Sequence, residues 1–349
     1  MVQEKKAGRK VTPSRIRWIV FCTVLPICVI NAYSCDKNDI FIVSPELVQE
    51  SSIPDTMVIY VKPWEDPVGS NPKKDDALYA KFSKYADLDF KHQSAAVYDD
   101  YVFFVERCRM SICLYDLSQK TKVYTASFRP AGNISIYHCN QSTFGIEKYN
   151  PSDPFPLLYV SQRSKSGNRC FVEALRIHPK YNEDSTAIVS FKVELVQEIY
   201  FPQMTRDNSL GNVNCVIDVK KGKLYTYSRN NSSRDGNYLQ CKISQFQIPD
   251  IEKKQVVLED SDIEASFMID ASAENMQGAC IVDDNLYIAQ GYPSVKYIYL
   301  NVVNLQQQRL AKRYDLLGSG VDWEPEGCFF YDGSIMLSHT DGICRIEGD

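Results

Sequence analysis

From residue 92 to the C-terminus the chain is written in short apolar, aromatic-rich runs separated by Asp, Asn and Gly. Residues 101–105 (YVFFV), 112–117 (ICLYDL) and 123–128 (VYTASF) are typical. Runs of this length bounded by turn-forming residues predict strands joined by tight turns. Beyond the first 35 residues no stretch carries the 3.6-residue periodicity of a long amphipathic helix. The predicted class is all-β.

The order of the runs repeats. Gln277-Gly278-Ala279-Cys280-Ile281-Val282-Asp283-Asp284-Asn285-Leu286-Tyr287-Ile288 aligns with Glu326-Gly327-Cys328-Phe329-Phe330-Tyr331-Asp332-Gly333-Ser334-Ile335-Met336-Leu337. Each reads as a polar residue, small residues, a strand, a two-residue turn and a second strand. Asp332-Gly333 is a strong hairpin signal, because glycine adopts the positive φ such turns need. A third copy begins at His92, turns at Asp99-Asp100 and continues through 101–105, 112–117 and 123–128. Four strands in so short a span make one blade of a β-propeller.

Residues 276–316 follow the same plan, with third and fourth strands over 296–303 and 312–316. Less regular units start at His138, carrying 157–160 and 187–200, and at Asn214, carrying 223–227 and 239–248. The last unit, from Glu326, ends one strand short. A strand from residues 78–90 would complete it, closing the ring and removing two exposed sheet edges. Five starts predict five blades. Six is the alternative, should 40–75 or 138–214 hold a divergent unit. The expected organisation is a signal peptide over 1–34, a lipidated N-terminus, linker and possible first strands over 35–75, and a propeller over 76–349.

The first 35 residues obey a different pattern. Lys5, Lys6, Arg9, Lys10, Arg15 and Arg17 precede an apolar run over 18–30 that is short for a membrane span, which needs about 20 residues. That charge order is that of a secretory signal. Ala32-Tyr33-Ser34-Cys35 resembles a lipobox, with Ala32 where many carry Leu, so Cys35 is the expected lipidation site. The implied location is the cell envelope, held by lipid, with the outer membrane expected. Asp36-Lys37-Asn38-Asp39 resembles the surface-export tract of Bacteroides-group lipoproteins; in other lineages Asp after the cysteine resembles an inner-membrane retention signal.

A net charge of −5 over 349 residues lacks the basic footprint of a nucleic-acid partner. Nine cysteines follow Cys35, and several interrupt apolar strands, so mostly buried thiols are expected rather than a disulfide framework. No zinc motif is readable, and neither a metal nor another cofactor is expected.

From about His92 onward the chain resembles the five-bladed propeller of phage receptor-binding tail proteins, teichoic-acid-related proteins and helveticin-like bacteriocins, and more nearly uncharacterised lipoproteins of the Bacteroides group. The likeness rests on Met276-Gln277-Gly278, on Trp323-Glu324-Pro325-Glu326-Gly327, and on 144–149 (FGIEKY) with 155–161 (FPLLYVS). It implies carbohydrate or cell-surface recognition and supplies no catalytic set.

In a propeller the first strand of each blade faces the central channel. On this alignment His92, His138, Asn214, Gln277 and Glu326 form a polar ring at one channel mouth, able to bind a sugar, or a cation through Glu326 and the histidines. Polar residues there also simply satisfy water and strand ends. Ser338-His339-Asp341 lacks a nucleophile elbow, and His178 and His339 read as solvated or structural. Glu324 and Glu326 are paired acids, but two neighbours on one strand reach only the lower end of the carboxyl spacing of a glycosidase. The expected function is therefore a lipid-anchored binding or scaffold module for a glycan or an envelope protein. The alternatives are an exported carbohydrate-active hydrolase or lyase using Glu324, Glu326 and a channel histidine, and a structural subunit of an envelope complex.

Overall fold

The computed structural model describes residues 80–106, 111–127, 136–164, 170–202, 213–229 and 240–347. The expected signal peptide, Cys35 and residues 35–75 lie outside them. The first strand, β1 (Lys81–Asp87), does not join the sheet built by the strands directly after it. Blade 1 is the antiparallel sheet β2 (Ser94–Tyr98), β3 (Tyr101–Val105), β4 (Ser111–Asp116) and β5 (Thr121–Ser127). In blade 2, β6 (Ile136–His138) and β7 (Ser142–Phe144) both pair with β8 (Leu158–Ser164), followed by β9 (Cys170–Tyr181) and β10 (Ile188–Tyr200).

Blade 3 contains β11 (Asn214–Asp218), β12 (Lys223–Arg229) and β13 (Gln240–Gln247). The chain then leaves to form β14 (Gln255–Val257), which lies parallel to β10 on the edge of blade 2, before returning as β15 (Ala265–Ser272). Blade 4 is β16 (Met276–Val282), β17 (Asn285–Tyr292), β18 (Tyr297–Asn304) and β19 (Arg309–Asp315). Blade 5 is β20 (Gly327–Tyr331), β21 (Ser334–His339) and β22 (Gly342–Glu347), and its fourth strand is β1, antiparallel to β22 from Lys81↔Glu347 to Asp87↔Gly342. The protein is a five-bladed β-propeller whose ring is closed by the N-terminal strand.

The ring follows from strands that are apolar on both faces. In β3, Phe103 packs between blades 1 and 2 while its neighbour Phe104 packs between blades 5 and 1. In β8, Leu158 and Val160 face blade 1 and Tyr159 faces blade 3. In β17, Leu286 and Ile288 face blade 3 while Ala289 faces blade 5. The buried apolar residues accordingly form five clusters, one between each pair of adjacent blades. Burial of whole Phe, Leu or Ile side chains is worth about 1.5–3 kcal/mol each, so these clusters dominate the stability.

The hairpins that join first to second strands carry the expected signals. Asp99, Asp283 and Asp332 have φ of 50°, 53° and 48°, and Gly333 follows at 71°. Aspartate tolerates this left-handed region better than most residues, so Asp-Asp serves where Asp-Gly would be expected. Two features go beyond the expected five-blade plan. The interval 138–214 holds a single enlarged blade, not a hidden sixth, because β9 and β10 run to 12 and 13 residues and β6 continues the inner strand. In blade 3 the fourth strand is β15, since the connection after β13 detours to blade 2, where the Gln197 amide donates to the carbonyls of Asp250 (2.7 Å) and Lys253 (2.8 Å).

At the hub the backbones themselves are in contact. A Cβ on Gly278 would stand 2.7 Å from both the Gly327 Cα and the Cys328 nitrogen, and one on Gly327 would strike the Ala95 Cβ at 2.6 Å. Since the atoms met by a Gly278 Cβ are backbone, no rotamer change relieves them. Gly278→Val is expected to destabilise the fold by at least about 3 kcal/mol, read as a fall in the urea midpoint. An unchanged midpoint would mean that β16 and β20 do not meet at the axis.

Candidate functional site: a plugged hub with an apolar mouth

Where the inner strands begin, five polar side chains come together, and all are buried: Gln93, Gln141, Asn214, Gln277 and Glu326. Three were expected. The other two replace His92 and His138. His92 stands one residue before the ring and is buried between blades 5 and 1, its ring 4.4 Å from that of Phe104. Its Nδ1–H donates to the Phe90 carbonyl (3.1 Å), which leaves Nε2 to accept from the Ser338 hydroxyl (2.8 Å). His138 belongs to β6, opposite Arg163 of β8 and three residues short of the ring position held by Gln141. His92 stays out of the ring because the alignment set it one residue too early, and the His138 backbone lies before the ring position.

The ring is bonded in part, the side-chain oxygens of Asn214 and Gln277 being buried without a protein partner among the described residues. The Gln93 amide donates to Glu326 Oε2, and that of Gln277 to Glu324 Oε1 at 2.5 Å. The Tyr227 hydroxyl donates to the Gln277 carbonyl at 2.7 Å. Gln141 does more. Its amide nitrogen donates to the carbonyls of Ala279 (2.7 Å) and Ser142 (2.9 Å), and its oxygen accepts from Ala279 N–H (2.7 Å). Ala279 is on blade 4 and Gln141 on blade 2, so this side chain spans the hub between non-adjacent blades. It stands in for a strand partner at the open edge of β16 and stops the channel.

Beyond that plug the channel opens. A cavity of about 490 Å³ lies at the end where the inner strands finish. Its floor is made of small residues, among them Ala95, Ser142, Ala279, Cys280 and Cys328, and its walls of Tyr98, Phe144, Ile217, Ile281 and Phe330. The 145–157 connection, far longer than the two-residue turns of blades 1, 4 and 5, raises one side and contributes Ile146, Lys148 and Pro156. Ile146, Val219 and Phe330 are 46%, 56% and 40% exposed, so the rim is apolar and wet. Sequence reasoning missed this mouth. The signal was available in FGIEKY and in Val219, apolar residues placed where a hairpin turn should be polar.

Neighbouring turns brace the rim. Lys220 pairs with Asp283 and Lys221 with Asp284, tying blade 3 to blade 4, and the Tyr331 hydroxyl donates to Asp100 (2.8 Å), tying blade 5 to blade 1. Elsewhere, Ser338 bonds His92 rather than His339, and His339 stacks on Trp323 at 4.3 Å. Ser338, His339 and the following Asp341 therefore form no triad. Among the described residues no three His, Cys, Asp or Glu side chains are grouped to hold a metal ion.

The fold and the site thus define a five-bladed propeller with its polar hub stopped and one mouth open. No protein family matches the chain, and no curated protein matches it. Solved β-propellers align over most of its length. The Myxococcus xanthus glutaminyl cyclase is 10% identical (TM-score 0.40), covering 78% of this chain and 97% of that one. A glucose dehydrogenase is 11% identical (0.42; 77% and 99%), and the PQQ-bound aldose sugar dehydrogenase of Streptomyces coelicolor 12% (0.41; 77% and 98%). At such identities the likeness is one of fold alone.

Burial holds the His92 imidazole well down, at about 4 against its ordinary 6.5. The folded state therefore keeps it neutral, while an unfolded chain protonates it near 6.5. Its contribution is complete above that pH and is lost as pH falls towards 4. Between pH 7.5 and 4 the wild type is expected to lose about 3 kcal/mol more than His92→Gln, since each pH unit between the two values is worth about 1.4 kcal/mol. Urea titrations at the two pH values check this; parallel losses in both proteins would place His92 in solvent.

Proposed function

We propose that this protein is an exported, lipid-anchored binding module of the cell envelope that engages a protein partner through the apolar mouth of its hub. The observation that carries the reading is the open cavity of about 490 Å³ with Ile146, Val219 and Phe330 exposed at its rim. Apolar groups placed around a concavity on a braced, rigid frame suit the insertion of a partner's apolar side chains. Asp99, Thr143 and Lys148 also line the mouth, and a protein partner would meet them as polar contacts around the apolar ones. The anchor rests on the basic n-region, the apolar run and Cys35. The likeness in 144–149 and 155–161 to phage receptor-binding and Bacteroides-group proteins adds weight to surface recognition, as those residues build one wall.

Enzyme action is the weaker reading. Glu324 and Glu326, the acids a hydrolase would use, are engaged by the Gln277 and Gln93 amides, and Glu326 is buried within the hub. A substrate would have to displace the glutamines to reach them.

With the folded protein immobilised and solubilised envelope passed over it, one specific protein is expected to be retained. Val219→Asp combined with Phe330→Asp should lower that retention at least tenfold while leaving the melting temperature within about 5 °C, because both side chains are already partly in water. Equal retention by the double variant, or binding on a glycan array in place of a protein, would sink the reading. Independently, palmitate labelling is expected for the wild type and absent from Cys35→Ala; identical labelling of the two would remove the anchor.

A further inference from the structure

Among the described residues seven cysteines carry free thiols, and six of them are buried. Two differ from the rest in facing each other. Cys280 on β16 and Cys328 on β20 bring their sulfurs within 3.7 Å across the boundary between blades 4 and 5. The approach is built into the sequence around them. Gly278 removes the Cβ that would hold the two inner strands apart, since its position faces the Gly327 Cα and the Cys328 nitrogen directly. Both thiols line the floor of the 490 Å³ mouth, with Cys280 the more accessible and Cys328 covered.

We propose that Cys280 and Cys328 are a dithiol site that a small disulfide oxidant entering the mouth converts to an inter-blade disulfide. This goes beyond the binding function and does not depend on it. The sulfurs need close by only about 1.7 Å to reach bonding distance, a change that side-chain rotation can supply. In the first step Cys280 loses its proton to solvent and its thiolate attacks one sulfur of the oxidant, breaking the oxidant's S–S bond and releasing one thiol. In the second, Cys328 loses its proton and attacks the Cys280 sulfur, expelling the second thiol. Two protein thiols and one oxidant disulfide thus become one cystine and two small thiols, the two electrons passing from the cysteines to the oxidant. The order is set by exposure, since Cys280 is the sulfur an incoming molecule meets first. The contact with Cys328 and burial hold the Cys280 thiol well above its ordinary value, so the reaction quickens as pH rises.

The bond would act where the rim is open. Turns of blades 3 and 4 are joined by ion pairs, and those of 5 and 1 by Tyr331 and Asp100, whereas a cleft of about 220 Å³ separates blades 4 and 5 beside Val282, Phe330 and Gly333. Blade 5 is also the blade that joins both ends of the ring.

The test uses the full-length folded protein with oxidised glutathione at pH 8, followed by alkylation and peptide mapping without reduction. Loss of two thiols, a Cys280–Cys328 cross-linked peptide and a melting temperature raised by roughly 5–10 °C, all reversed by dithiothreitol, are expected. Cys280→Ser should leave Cys328 unmodified, and Cys328→Ala should trap glutathione on Cys280. Stable glutathione on Cys280 of the wild type without closure, a cross-link to another cysteine, or no loss of thiols would each overturn the proposal. The wild-type map alone decides the matter, whatever the folding of the variants.

Discussion

Everything in this structure depends on strands that are apolar on both faces. A sheet with one apolar face can be satisfied by a single partner layer. A sheet such as β2–β5, with Phe103 and Val105 on one side and Val102 and Phe104 on the other, must be covered twice. If every sheet in a row needs two neighbours, the row must close on itself. The five apolar clusters are that requirement met. The last sheet would still offer a bare edge at β22, and β1 covers it from the far end of the chain.

Closure with as few as five blades brings the inner strands close, and that crowding dictates the residues at the axis. Each ring residue is followed by a small one: Gln93-Ser94, Gln141-Ser142, Asn214-Cys215, Gln277-Gly278 and Glu326-Gly327. The long amide or carboxylate reaches inward, and the small residue lets the strand enter the hub beside its neighbours. Inner strands have an unpaired edge by construction, and its N–H and C=O groups still need partners. Gln141 supplies both a donor and an acceptor to Ala279, across the axis. Gln141 is thus the means by which the β16 edge is satisfied at close quarters.

How much of this could be read from the chain varies with the range of the interaction. Hairpins such as Asp332-Gly333 are local, and the sequence states them outright. The closing strand was legible because one unit lacked a strand and an unassigned run preceded the first unit. Asn214, Gln277 and Glu326 could be placed because each directly precedes an obvious strand. The units aligned on His92 and His138 start before the ring positions, which the polar-then-small pairing puts at Gln93 and Gln141. The detour of β14 to blade 2 was not legible at all. Three residues carry that pairing, and their partner, β10, lies more than fifty residues away.

The hub divides into a bonded polar layer and an open apolar mouth, and the two ends differ in what they can admit. The bonded part of the ring resists entry, because a ligand must replace the Gln93–Glu326 and Gln141–Ala279 hydrogen bonds at once. The opposite mouth has no such barrier: small floor residues give depth, and the rim is already apolar towards water. Under the proposed binding function, recognition at that end would rest on shape and apolar contact on a frame held by the five clusters. The 145–157 connection, which departs furthest from the short hairpin turns of blades 1, 4 and 5, is also the one that raises the wall of this mouth. The break in the repeat therefore adds Ile146 to the exposed apolar surface of this mouth. In a repeating fold the shared residues are spent on closing the ring, so specificity has to come from the copy that breaks the pattern.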